Sequence, residues 1–239
     1  MIIYGCVKVK AITYSTVLIT WCTIILCYIL AVSLGHVPAW LPMISDCAVE
    51  APEKYPFRLG LIAGATALFA NVIMVYYAFP NFSFRKLQLA LGLVASVGLA
   101  TVGAVNEKEN NTVHTAAAIV FFLGYDIYMT IIAYNAPTDD KISSASVINK
   151  RIFAVLGIIL LVGAGLFSLG GRQYKVYVAL CEWLGTLGIE IFNLTFIQDF
   201  TDLALLEVKL DKSYSSPTGD WMGNCDGTKL VAVEKKVPL

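Results

Sequence analysis

Four residues offer acid–base chemistry at one end of the folded chain: Asp46, Glu53, His114 and Glu182. The first two fall in one polar segment. His114 opens an apolar run, and Glu182 lies near the start of another. If those runs are helices, all four side chains project toward the same aqueous face. A carboxylate–histidine group can hold a metal ion or move a proton. Yet the chain carries no HxxxH, HExxH or serine-elbow signature, and His36 stands alone at the end of the first run. From spacing alone, interfacial anchoring is favoured over catalysis, and no metal or cofactor is expected.

A second polar set lies deeper, at Asn71, Asp126, Glu190 and Asn193. At 1.5 Å per helical residue, Asp126 is roughly 15 Å into its run and Glu190 roughly 21 Å into its own. The four are expected to form a layer near the middle of a membrane. Ionisable groups at that depth cost several kcal/mol unless paired, hydrated or neutralised, which makes them functional candidates. No basic residue lies in any apolar run, so Asp126 and Glu190 are expected to be protonated in part. A proton or ion relay is one reading of the layer. A hydrogen-bond network that fixes helix packing is favoured over it, because transporters usually show repeats or interrupted helices.

Composition identifies the elements that must hold these residues. Of 239 residues, 58% are hydrophobic and 14% charged, against roughly a quarter charged in soluble domains; mean hydropathy is +0.72. Net charge is zero, so the basic surplus of a nucleic-acid binder is absent, and hydrophobicity excludes a disordered chain. Six apolar runs are each long enough to cross a hydrocarbon core of about 30 Å: Ala11–Leu34, Leu59–Phe79, Leu87–Val105, Ala116–Tyr134, Ile152–Leu169 and Val176–Ile197. All eight prolines fall outside the runs, which predicts unbroken helices.

With the N-terminus inside, the inner side collects Lys8, Lys10, Arg85, Lys86, Lys141, Lys150, Arg151 and five tail lysines, twelve of the seventeen bases. The positive-inside rule therefore places both termini in the cytoplasm. Ala31-Val32-Ser33 resembles a cleavage site, but its apolar run far exceeds the usual 7–15 or so residues of a signal peptide. A retained anchor is expected. The predicted fold is all-α, a six-helix transmembrane bundle over residues 1–200, with a flexible cytoplasmic tail over 201–239.

Among the cysteines, only Cys47 and Cys181 could meet on the outer side, and a bridge between them is an open expectation. Cys6 is a candidate for palmitoylation. Gly60 and Gly64 form a GxxxG, and Gly92, Ser96, Ala100 and Ala104 line one face of the third run. Such faces let helix backbones approach closely. Packing of runs two and three as a hairpin is expected, with dimerisation as the alternative. Sorting-type signals occur at Tyr4-Gly5-Cys6-Val7 and Asp202-Leu203-Ala204-Leu205-Leu206, and a glycosylation sequon at Asn110-Asn111-Thr112.

Several elements form a recognisable pattern: Pro42-Met43-Ile44-Ser45-Asp46 followed by Pro52-Glu53; Glu107-Lys108 with His114 and Tyr128; Cys181-Glu182-Trp183; and Leu194-Thr195-Phe196-Ile197-Gln198-Asp199-Phe200. From about Ala11 to Phe200 the chain resembles the damage-regulated autophagy modulator (DRAM) family. That family sits in a larger group with GPI-anchor lipid-remodelling proteins and plasma-membrane regulators of phosphoinositide kinases. The positions matching its pattern are Asp46, Glu53, His114, Glu182, Trp183, Gln198 and Asp199; Asp126 and Glu190 are outside it. The resemblance implies six helices with cytoplasmic termini, a lysosomal or related endomembrane location and a role in promoting autophagy, without established catalytic residues. A non-enzymatic role is expected, with membrane lipids as partners and a protein partner at the tail. GPI-anchor lipid remodelling, or a plasma-membrane scaffold for a phosphoinositide kinase, are the alternatives.

Overall fold

A lipid-exposed backbone must satisfy its own hydrogen bonds, so apolar runs of this length become helices. The computed structural model has six that are long and apolar enough to span a membrane: α1 (Val9–Ser33), α2 (Lys54–Ala78), α3 (Arg85–Ala104), α4 (Glu107–Asn135), α5 (Ser144–Leu169) and α6 (Lys175–Asp199). The structure describes residues 6–7, 9–79, 81–136, 144–199 and 206–207, with side chains for 10–79, 81–136 and 144–199. The Cys6 side chain, both sorting-type signals and the tail's predicted flexibility lie outside the described side chains. Cys6–Val7 pairs antiparallel with Leu206–Glu207.

The helices overrun the apolar runs where end groups can be satisfied. The segment 106–115, expected as loop, is mostly helix, because Asn106 and Glu109 form a reciprocal cap. The Asn106 side chain accepts from Glu109 N at 2.9 Å, and the Glu109 carboxylate faces Asn106 N. A break at Asn110 (φ −158°, ψ 91°) follows within the first turn. Pro56, outside the apolar run as expected, is taken in because α2 starts five residues before that run. It sits in the first turn, where its missing N–H has no partner to lose. The fifth helix begins at Ser144 and so takes in Lys150 and Arg151, expected in the inner loop.

Each helix packs on its neighbour in sequence, and α6 packs back on α1, closing a ring. Tyr125, Tyr128, Met129 and Ile132 of α4 meet Leu68 and Val72 of α2 and Phe192 and Phe196 of α6 in the core. The GxxxG of α2 faces α1 rather than α3. A Cβ on Gly64 would lie 2.7 Å from Thr20 Oγ1, and one on Gly60 would collide with Thr23. The α1 surface beneath is a stripe of Thr13, Thr16, Thr20, Thr23, Cys27 and Ala31, all buried at helical spacing. Gly92 of α3 does meet Val72 of α2, so the expected hairpin also forms. The outward faces carry large apolar side chains such as Leu18, Ile29, Leu59, Ile159 and Leu166, which suits a hydrocarbon surrounding and not water.

Candidate functional site

The first loop, residues 34–53, turns away from α1 at Gly35, whose φ of +73° is costly for any residue with a Cβ. It then lies across the bundle end, tied down from several helices. Trp183 Nε1 donates to Pro42 O at 2.8 Å, and Ile44 N donates to Glu182 Oε2 at 2.9 Å. Lys175 pairs with Asp46 at 2.9 Å and Lys108 with Glu50 at 2.7 Å. Asn106 reaches Val49 O at 3.3 Å, and Tyr28 donates to Ala39 O at 2.7 Å. Trp183 also packs edge-on against Tyr28, with ring centroids 5.8 Å apart. The Lys108 hydrogen bond holds the Glu50 carboxyl below its ordinary range.

The four outer residues are not one cluster. Glu53 is fully buried, and its Oε1 lies 2.5 Å from His36 Nδ1. His36 is therefore not isolated: the turn after α1 swings it over the start of α2. Asp46 is occupied by Lys175. Only His114 and Glu182 come together, lining two adjoining cavities. His114 Nδ1 is 2.7 Å from Val105 O, a carbonyl that can only accept, so that nitrogen carries the proton. Nε2 lies 3.8 Å from Glu107 Oε1.

Cys47 and Cys181 are separate thiols. Cys47 Sγ is directed to Met43 O, 3.4 Å away within its own loop, so the bridge held open from sequence does not form. Burial, with Asp46 and Glu182 nearby, pushes the Cys47 thiol up to about 12.

The midplane set also divides. Thr13 donates to Asn71 Oδ1 at 2.9 Å, Asn71 Nδ2 to Asn193 Oδ1 at 3.3 Å, and Tyr125 OH to the same oxygen at 2.5 Å. This chain of bonds ties α1, α2, α4 and α6 together. Asp126 is not in it. Successive helical residues point about 100° apart, so once Tyr125 faces the centre its neighbour must face elsewhere, here toward Gly157 of α5. Glu190, one turn before Asn193, lines a small cavity of about 50 Å³ together with Thr20, His114 and Glu182.

A further polar group joins Asp199, marked in the sequence by the family resemblance, to Lys150 and Ser146, a pairing not expected from the sequence. Lys150 Nζ lies 2.5 Å from Asp199 Oδ2, with the two side chains 3% and 1% exposed. Ser146 donates to Asp199 Oδ1 at 2.7 Å, and the ammonium sits 4.9 Å from the centre of the Phe196 ring. The available signal was spacing: Ser146 and Lys150 are four apart, one face of a helix that continues past the apolar run. Asp199 thus has a buried partner, while Gln198 shares its last turn of α6. Among the described residues, no group of three or more metal-ligating side chains is assembled.

A family model described as the Frag1/DRAM/Sfk1/Cwh43P N-terminal domain matches residues 9–203. The chain is 26% identical to DNA damage-regulated autophagy modulator protein 1 of Xenopus laevis, over 80% of this chain and 90% of that one. It is 29% identical to the Homo sapiens protein of that name, over 79% and 90%. With DNA damage-regulated autophagy modulator protein 2 of Bos taurus the identity is 27%, over 80% and 84%. No solved structure matches.

Proposed function

The chain belongs to the Frag1/DRAM/Sfk1/Cwh43P family as a DRAM-like multi-pass membrane protein, and from that premise we propose that it is a non-enzymatic modulator of autophagy, resident in lysosomal or related endomembranes with both termini in the cytoplasm. The observation that carries this reading is the extent of the match to proteins named as autophagy modulators, nine-tenths of the Xenopus laevis protein's length. The geometry supports a structural use of the outer residues. Asp46, Glu53, Glu182 and Trp183 are each engaged in holding the first loop on the bundle. Autophagic flux tests it, read as the accumulation of a lipidated autophagosome marker when lysosomal degradation is blocked. Cells lacking the protein should show reduced flux that re-expression restores. Unchanged flux refutes the proposal.

A second reading, remodelling of GPI-anchor lipid, draws on His114 Nε2 and Glu182 lining a common cavity. It expects altered GPI lipid in cells lacking the protein and loss of rescue with His114→Ala. Normal GPI lipid composition eliminates it.

A further inference from the structure

The larger of the two cavities holds about 340 Å³ between α4, α5 and α6, toward the small end of the roughly 300–1,000 Å³ that ligand sites span. Its walls are apolar: Ile119 and Phe122 on α4, with Leu160, Leu161 and Ala164 on α5. Three acids line it, Glu107 and Glu182 toward the outer end and Asp126 deep within, together with His114; no Lys or Arg is among the lining residues.

Asp126 is the unusual member. Its residue is 3% exposed, and among the described residues no donor reaches its carboxyl; Thr130 takes only its backbone oxygen, at 2.8 Å. The absence of a Cβ on Gly157 leaves the space that this carboxyl occupies. An intramembrane acid without a protein partner, lining a cavity, has the character of a counter-ion for a ligand. The lining selects against anionic head groups, because it presents three carboxyls and neither Lys nor Arg. A volume of about 340 Å³ is the size of one compact apolar body or a single chain.

We propose that this cavity binds an amphiphilic amine, a protonated amine on one compact apolar body or single chain, with Asp126 as its counter-ion. The apolar part lies against the α4 and α5 walls, and the membrane supplies the ligand. This is independent of the autophagy reading, since binding is measured on the isolated protein and either can fail alone.

The test is native mass spectrometry of the full-length protein in detergent, with equal concentrations of four probes. Sphingosine represents a lipid-derived amine and imipramine a compact aromatic one; octadecanol and stearate have a comparable apolar chain without the amine. At least one amine should bind one per chain, in preference to octadecanol and stearate, and which amine binds identifies the source. Asp126→Asn, nearly isosteric, should weaken amine binding by about thirtyfold or more, as loss of a buried charge partner does. Ala164→Phe, which fills the cavity from the α5 wall and leaves Asp126 in place, should also abolish it, with gel-filtration profiles confirming that both variants remain folded. Equal binding of octadecanol or stearate, or amine binding that survives Asp126→Asn, overturns the proposal.

Discussion

Asp199 and Lys150 are buried together between the Ser144 end of α5 and the Asp199 end of α6, and a buried ion pair is far more sensitive to the loss of one partner than to replacement of both. Lys150→Met should therefore destabilise the protein by about 3–5 kcal/mol, while Lys150→Met combined with Asp199→Leu should recover much of that loss. Thermal unfolding of the purified protein in detergent reads both; equal melting temperatures for the single variant and wild type would contradict the pairing. Cys47 gives a chemical readout. Only the thiolate reacts readily, and this thiol is buried and pushed up to about 12. N-ethylmaleimide at pH 7.5 should leave Cys47 unmodified in the folded protein and alkylate it after denaturation, as peptide mass mapping would show. Lys108–Glu50 bears on mild acid. Because the folded carboxyl is held below its ordinary value of 4.5, its contribution is present above that value and is lost only as pH falls through the lower folded one. That contact should persist in a weakly acidic compartment.

Helix against helix, the close approaches depend on missing side chains. Gly64→Leu would drive a branched chain into Thr20, and overpacking of this kind costs about 1–3 kcal/mol. The variant should melt at lower temperature with an unchanged oligomeric mass by light scattering. A change in mass instead would show that the GxxxG serves association between chains. The motif itself was legible in the sequence, but its partner was not: a glycine pair shows that something approaches, whereas the threonine stripe that approaches it is visible only once α1 lies alongside. The same holds for α4. Nine of the ten residues of apparent loop became helix through the Asn106–Glu109 cap, a local signal present in the sequence and outweighed by the polarity of 106–111. Removing that cap with Asn106→Ala should cost about 0.5–2 kcal/mol, again read by melting temperature.

For the molecule as a whole, orientation across the membrane follows from charge. If both termini are cytoplasmic, protease added to intact organelles should remove epitope tags from both ends and spare a tag in the first loop until the membrane is permeabilised. Protection of either terminal tag refutes the arrangement. Composition and the length of six apolar runs determined the membrane, the helical class and the number of spans, because the bilayer demands one backbone solution over a known thickness. Residue motifs such as Cys181-Glu182-Trp183 pointed to the family. The tertiary structure alone decided which polar groups meet. Sequence placed Asp46, Glu53, His114 and Glu182 at one end and Asn71, Asp126, Glu190 and Asn193 at one depth. Depth is a coordinate along the helix, though, and contact depends on rotation about it. Packing turned Tyr125 to the core and Asp126 to the α5 cavity, gave Glu53 to His36 and Asp46 to Lys175, and left His114 and Glu182 lining space shared with Asp126 on one side and Glu190 on the other.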